Sequence, residues 1–280
     1  MDPIALYDSV CNECSVQTTK AYSTSFSLGI RALGKPLRLP VYAIYGFVRF
    51  ADEIVDSFHD HDKKSLFDRF KADTYAAIDE GISLNPILHA FQRVYHRYSI
   101  DREHVDLFLR SMEWDLDRNE YDRQGYEDYV VGSAEVVGLM CLRIFVDGNN
   151  ERYEELLPSA RRLGAAFQKI NFLRDLSDDY TDKGRTYFPE LDMSQFNEAT
   201  KKSIELEIDD DFKSAHEGIL KLPKSSRLGV HVAYIYYRRL FEKIQKLPSD
   251  RILEHRIRIP NYRKALLLCS SCVKHQLNLL

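Results

Sequence analysis

Gln168-Lys-Ile-Asn-Phe-Leu-Arg-Asp-Leu-Ser-Asp-Asp-Tyr180 decides how this chain folds and where its chemistry lies. Asn171, Asp175 and Asp179 recur every four residues, which places them on one face of an α-helix, and Gln168 extends the row by three. Leu163, Phe167, Ile170, Leu173 and Leu176 form the adjoining apolar face. A second stretch, Tyr45-Gly-Phe-Val-Arg-Phe-Ala-Asp-Glu-Ile-Val-Asp56, has the same design. Tyr45, Arg49, Asp52 and Asp56 run at four, three and four beside Ile44, Phe47, Ala51, Ile54 and Phe58. Both helices are apolar over a wide arc and are expected to be mostly buried, yet each carries a stripe of carboxylates.

An ionised carboxylate buried without a partner costs several kcal/mol, so such stripes need counter-charge. Arg49 and Arg174 neutralise only part of it. Divalent cations complete the balance, and carboxylate plus amide oxygens suit Mg²⁺, with Mn²⁺ as a substitute. Mg²⁺ keeps several waters and takes the rest of its shell from substrate phosphates. Solvated Asp faces are the ordinary explanation of either stretch alone; the matched Arg and aromatic neighbours of both argue against it. A di-iron bundle would need Glu-x-x-His motifs, and no Glu in the chain has a His three residues later.

From the N-terminus, residues 4–20 read as a helix ending in the hydroxyl-rich Tyr22-Ser-Thr-Ser-Phe26, followed by turn signals at Gly29, Gly34 and Pro36. The first acidic helix comes next. Residues 62–80 read as a helix stopped by Gly81, and Asn85-Pro86 opens another, to about Tyr98. Asp101 is expected to cap a helix carrying Val105, Phe108, Leu109, Met112 and Leu116. Residues 124–146 are expected to be helical despite Gly132 and Gly138, whose lack of side chains allows close approach of another helix or a ligand. The second acidic helix should run from about Glu151 to Tyr180, bent or broken near Pro158. Helices near 199–221, 225–246 and 260–278 complete a single all-α domain, 1–280, without strands, repeats or linkers.

Composition excludes several classes. The net charge of −4 and the lack of a basic run argue against a nucleic-acid partner. No signal peptide, transit peptide or membrane-spanning run is read, so an intracellular, soluble chain is expected; peripheral membrane contact is a hypothesis, since Leu-rich patches such as Leu266-Leu-Leu268 read more readily as core. Cys11/Cys14 and Cys269/Cys272 lie in helical patterns and are read as buried thiols rather than zinc ligands or disulfides. Oligomeric state is not legible.

Two acidic faces meeting across a helical cavity would hold a Mg²⁺ cluster on a diphosphate leaving group. Departure from an allylic carbon gives a carbocation, which needs a dry, aromatic-lined cavity. Phe26, Tyr42, Tyr45, Phe172, Tyr234, Tyr237 and Phe241 are the candidates, although a stripe such as Tyr234/Tyr237/Phe241 more often packs in a core. Arg49, Arg174 and Arg185 suit phosphate oxygens because guanidinium pairs with them bidentately.

Tyr45-x-x-x-Arg49-x-x-Asp52-Glu-x-x-Asp56 with Asn171-Phe-Leu-Arg-Asp175-x-x-x-Asp179 resembles the squalene and phytoene synthases, the head-to-head trans-isoprenyl diphosphate synthases. Gly184-Arg-Thr-Tyr-Phe-Pro189, Met112-Glu-Trp-Asp-Leu116, Gly132-Ser-Ala-Glu-Val-Val-Gly-Leu-Met140 and Ser23-Thr-Ser-Phe26 resemble further segments of that family, in order along nearly the whole chain. Glu135, where the family usually has Gly, and Thr24, where it commonly has Lys or Arg, are departures that would reshape the cavity wall and weaken a phosphate contact.

The resemblance implies an isoprenoid-synthase-type bundle around a central cavity. It implies condensation of two prenyl diphosphates through a cyclopropylcarbinyl diphosphate. Asp52, Asp56, Asp175 and Asp179 would bind Mg²⁺ with help from Asn171. Tyr45, Arg49, Gln168, Arg174 and Arg185 would hold diphosphate oxygens, Ser23 and Ser25 would close a flap, and Arg256 and Arg263 are weaker candidates at the phosphate mouth. Glu53 and Asp178 are acids without an assigned side. The compact chain and the Gly184–Pro189 segment look most like the bacterial carotenoid enzymes, so phytoene from two geranylgeranyl diphosphates, without a nicotinamide cofactor, is expected. A squalene or dehydrosqualene synthase using farnesyl diphosphate and a non-catalytic helical assembly protein are the alternatives.

Overall fold

The computed structural model describes residues 2–118, 120–183, 186–189, 196–254, 257, 259–260 and 271. Through them run α1 (Pro3–Tyr22), α2 (Thr24–Ala32), α3 (Lys35–Ser57), α4 (Lys63–Glu80), α5 (Pro86–Arg97), α6 (Arg102–Asp117), α7 (Arg123–Val130), α8 (Val136–Phe145), α9 (Asn150–Lys183), α10 (Glu198–Lys221), α11 (Lys224–Gln245) and α12 (Ser249–Ile252). An isolated bridge between Glu120 and Thr186 is the only extended pairing among the described residues, so the expected all-α class holds. All but residues 260 and 271 of the expected helix 260–278, with the Cys269/Cys272 pair, fall outside them, as do Arg185, Arg256, Arg263 and Leu266–Leu268.

Local chemistry sets most boundaries. Asn85 Oδ1 accepts from the Ile87 amide at 3.0 Å, and Asn197 Oδ1 from Ala199 at 2.9 Å, each covering an amide that a helix start leaves open. Gly81 ends α4 at φ 71°, the left-handed conformation that glycine adopts without penalty.

Four expectations need correction. The hydroxyl-rich stretch is not a turn before Gly29: Ser23 ends α1 and at once caps α2, its Oγ accepting from the Phe26 amide at 3.1 Å. Gly29 lies inside α2, packed against Gly229 of α11, where a Cβ on Gly229 would fall 2.9 Å from the Gly29 oxygen. Helix α9 runs unbroken through Pro158, because Pro158 is exposed and water can satisfy the carbonyl it deprives of a partner. Residues 124–146 are interrupted by a π-helical turn, Val131–Glu135. Asp101 stands before α6 without capping it, since its carboxylate accepts from Arg143 at 2.8 Å.

Close backbone approach at Gly132 matches the expectation: a Cβ there would lie 2.6 Å from the Leu107 oxygen. Cys11 and Cys14 are free thiols on α1.

Besides a smaller cluster around Leu142, Tyr153, Leu156 and Ile219 of α8, α9 and α10, two large apolar cores flank the middle of the bundle. Phe47, Phe67, Phe91 and Phe108 anchor one, built from α1 to α6 and α8. Ile170, Leu173, Phe212 and Phe241 anchor the other, from α7 and α9 to α12. Helices α3 and α9 lie on opposite sides of the space between these cores, and that is what turns two separate sequence stripes toward one another.

Candidate active site

A cavity of about 740 Å³ occupies the space between the cores, with walls from α2, α3, α6 to α11 and the π turn. At one end it is polar. Tyr45, Arg49, Asp52 and Asp56 reach it from α3, and Gln168, Asn171, Arg174, Asp175, Asp178 and Asp179 from α9. Away from that end the wall is apolar, through Ile44, Val137, Leu163, Leu156, Leu142 and Leu222. The stripes quoted from the sequence therefore share one chamber, although residues 52 and 175 are far apart in the chain.

Each arginine is already held by acids. Arg49 Nη1 donates to Asp52 at 2.5 Å and Nη2 to Glu53, while the guanidinium stacks 4.3 Å over the Tyr22 ring. Glu53 thus serves Arg49 and does not face the cavity, whereas Asp178 does. Burial pulls Arg49 down in pKa, Asp52 and Glu53 push it up, and the net is upward, so it stays cationic. Its Nε is buried and lacks an acceptor. Arg174 clasps its neighbour Asp175 through both Nε, at 2.7 Å, and Nη2; it too is held above its usual pKa by that carboxylate, against the opposing effect of burial.

The amide row is fixed by hydrogen bonds. Asn171 Nδ2 donates to Gln168 Oε1 at 3.4 Å, and the Tyr237 hydroxyl donates to Asn171 Oδ1 at 3.2 Å. Burial pushes the Tyr237 phenol up to about 12. Tyr237 stacks on Phe167 with ring centroids 3.9 Å apart, and Phe26 tilts against Tyr45 at 5.6 Å. Of the seven aromatic candidates, Phe26, Tyr45, Phe172 and Tyr237 line the cavity, while Tyr42, Tyr234 and Phe241 pack in the cores or against them.

The other expected residues divide. Ser23 hydrogen-bonds toward the Tyr45 phenol, which burial nonetheless raises in pKa. Ser25 is half-buried on α2 and does not line the chamber, and Thr24 is exposed beside it. Glu135 does not reshape the wall: it points to α9, where Arg161 Nε donates to it at 2.5 Å.

One acid had no assigned role. Asp115 on α6, only 6% exposed, lines the cavity and accepts from the Tyr129 hydroxyl at 2.7 Å and the Tyr187 hydroxyl at 3.1 Å. The signal that marks Asp52 was present here too, since Phe108, Met112 and Asp115 run at four and three along an otherwise apolar stripe. Tyr187 itself belongs to the Gly184–Pro189 segment of the sequence, and its hydroxyl is what reaches α6.

A family model described as squalene/phytoene synthase matches residues 19–263. The chain belongs to the squalene/phytoene synthase family. Its enzyme class is accordingly that of a prenyltransferase. A phytoene synthase of Arthrospira platensis is 25% identical over 90% of this chain and 89% of its own length. A 4,4'-diapophytoene synthase of Staphylococcus haemolyticus is 26% identical over 89% of this chain and 91% of its own. The crystal structure of a dehydrosqualene synthase in complex with ligand shares the fold, with a TM-score of 0.82 at 22% identity over 98% of this chain and 99% of that one. Among the described residues no helix of this family member is long and apolar enough to cross a membrane.

Proposed function

We propose that the protein condenses two molecules of geranylgeranyl diphosphate head to head, giving phytoene. The observation that carries this reading is the single chamber with a carboxylate and arginine end and an apolar, aromatic interior. Prenyl diphosphates have that same division of polarity.

Length separates the substrates. From Asn171 to Leu156, both on the cavity wall, α9 advances about 22 Å at 1.5 Å per residue. At about 1.2 Å of advance per bond in an extended chain, the sixteen-carbon backbone of a geranylgeranyl tail spans about 19 Å and the twelve-carbon farnesyl backbone about 14 Å. The longer tail uses the depth available. The shorter one leaves a third of it empty, and apolar surface without a partner forfeits contact energy.

The donor set fits Mg²⁺. Asp52, Asp56, Asp175 and Asp179, with Asn171, supply the hard oxygens that it prefers. When bound, Mg²⁺ supplies Lewis-acid neutralisation of the leaving diphosphate.

The remaining work falls to the chain. Arg49 offers its unpartnered Nε to a phosphate oxygen, and the phenol of Tyr45 stands one turn away on the same face. Tyr129 and Tyr187 both donate hydrogen bonds to Asp115, so their oxygens present lone pairs to the chamber, where positive charge develops on the allylic carbon. Burial holds Tyr129 far above its ordinary pKa, so it stays a neutral phenol. Phe26, Phe172 and Tyr237 exclude water and add ring faces to the same wall.

A product assay on purified protein tests the reading, with geranylgeranyl diphosphate and Mg²⁺, then with farnesyl diphosphate, and then with EDTA, all without nicotinamide. A C40 hydrocarbon lost with EDTA is expected. A C30 product from farnesyl diphosphate alone would move the protein to the dehydrosqualene type, and absence of hydrocarbon from both would sink the condensation.

A further inference from the structure

The chain is acidic overall, at −4, yet it has no Asp or Glu between Glu13 and Asp52 and none between Glu217 and Glu242. The fold brings these two acid-free stretches together. The Gly34 amide donates to the Ser225 carbonyl at 2.7 Å, where the turn between α2 and α3 meets the turn between α10 and α11. Arg31, Lys35 and Arg38 flank one turn, and Lys221, Lys224 and Arg227 the other.

Two of the six cations brace the turns: Arg38 Nε donates to the Leu33 carbonyl at 2.9 Å, and Arg227 Nη2 to the Leu222 carbonyl at 2.9 Å. Lys221 faces Glu155 at 3.4 Å. Arg31, Lys35 and Lys224 are exposed, and none of them has a carboxylate within salt-bridge distance among the described residues. Leu39, one helical turn beyond Lys35, and Leu220, next to Lys221, are 47% and 39% exposed. Leu33 and Leu222, which sit in the two turns, also line the apolar end of the cavity.

We propose that this end of the bundle docks on a bilayer that carries anionic headgroups. Lone surface cations are ordinary. Three of them, Arg31, Lys35 and Lys224, beside three further cations at the same two turns and two exposed leucines, all cations drawn from acid-free stretches of an acidic chain, form a positive apolar surface of the kind that anionic lipid attracts. The catalytic acids do not cancel it. Asp52 lies about 26 Å along α3 from Lys35 at 1.5 Å per residue. That exceeds two screening lengths, each about 8 Å at physiological salt. A reason for docking comes from the proposed reaction, whose hydrocarbon product needs an apolar phase and whose cavity has its apolar end here; the binding itself does not depend on that reading.

Flotation of the intact protein with vesicles tests it, without substrate. Vesicles of phosphatidylcholine alone are compared with vesicles in which phosphatidylglycerol is one lipid in three. Binding to the anionic vesicles is expected to be at least about tenfold tighter, and to weaken in high salt. Each cation near an anionic surface is worth about a fivefold factor, so Arg31→Glu, Lys35→Glu and Lys224→Glu together should cost about a hundredfold or more. The equal charge change at exposed positions elsewhere, Arg69→Glu, Arg97→Glu and Arg110→Glu, should retain most of the binding. Equal binding to both vesicle types, no binding to either, or equal loss in both triple variants would overturn the proposal. So would displacement from the vesicles by a short RNA duplex at matched phosphate, which would mark a general polyanion surface. The product assay, run on the same variants in detergent, reports separately on the condensation.

Discussion

At the scale of single residues, the charges of this site are arranged as counter-ions before any substrate enters. Arg49 is shared by Asp52 and Glu53, and Arg174 is clasped by Asp175. Such partly exposed pairs add little stability, roughly 1 kcal/mol or less. Asp52→Ala should therefore leave the melting temperature within a few degrees of the parent while lowering kcat by about a hundredfold or more, the scale of losing one electrostatic element of a preorganised site. Near-normal turnover with Mg²⁺ would remove Asp52 from the diphosphate site. Away from the cavity, His104 makes a prediction with a definite sign. Burial depresses its pKa, with Arg143 and Arg161 acting the same way and Asp101 and Glu103 opposing. The folded state thus takes up a proton less readily than the unfolded chain. No stability difference arises where both are neutral, and stability falls as pH drops below about 6.5, the ordinary histidine value, because the unfolded state then binds more protons. His104 Nδ1 has no hydrogen-bond partner, so His104→Leu removes the titration without orphaning a neighbour. Melting temperature measured from pH 8 to pH 5 should fall less steeply in that variant. An unchanged slope would assign the acid sensitivity to other groups.

Among elements, the contact between α9 and the π turn governs how closely the second acidic helix approaches the cavity. A helical Gly→Ala change usually stabilises by up to about 1 kcal/mol. At Gly164 the sign should reverse, because a Cβ would fall 2.7 Å from the Ala134 oxygen and 2.9 Å from the Glu135 Cα, both backbone atoms that cannot rotate away. Overpacking of this kind costs about 1–3 kcal/mol, and urea unfolding of Gly164→Ala should show it as a lower midpoint with an unchanged m-value. A stabilised variant would mean that the two elements have slack between them. The same contact explains what the sequence could and could not reveal. Stripes at three and four residues depend only on one helix, so α3 and α9 and the cavity-lining residues on them were legible from spacing. Helix α2 was not, because Gly29 reads locally as a turn and acts globally as a packing position against α11. The π turn was hidden for a similar reason: Gly132 and its neighbours answer to Leu107 and Ser111 on α6. Pro158 misled in the opposite direction, since its cost depends on whether the freed carbonyl faces water, and a sequence does not say which face that is. Asp115 was visible in the stripe of α6, but its partners Tyr129 and Tyr187 lie 14 and 72 residues away.

For the whole molecule, the decisive quantity is one that no local pattern contains: how far the chamber runs from its acids. Composition supplies carboxylates and aromatic rings, and spacing assigns them to faces. Depth emerges only when α8, α9 and α10 pack, because Leu142 of α8, Leu156 of α9 and Leu222, in the turn after α10, bound it from three separate parts of the chain. That depth can be shortened at a chosen point. Ala160 lines the cavity and stands eleven residues before Asn171 on α9, or about 16 Å at 1.5 Å per residue. A ring placed there leaves room for a farnesyl backbone of about 14 Å but not for a geranylgeranyl backbone of about 19 Å, by the extended advance per bond. In Ala160→Phe, kcat/KM for geranylgeranyl diphosphate should fall by about tenfold or more, while that for farnesyl diphosphate holds or rises and its C30 product accumulates. Measuring both substrates in one mixture cancels any loss of folded enzyme, because the ratio of products does not depend on enzyme concentration. An unchanged ratio would mean that the tails do not run along this part of α9, and the length argument for the longer substrate would fall with it, while the acidic end of the site would stand.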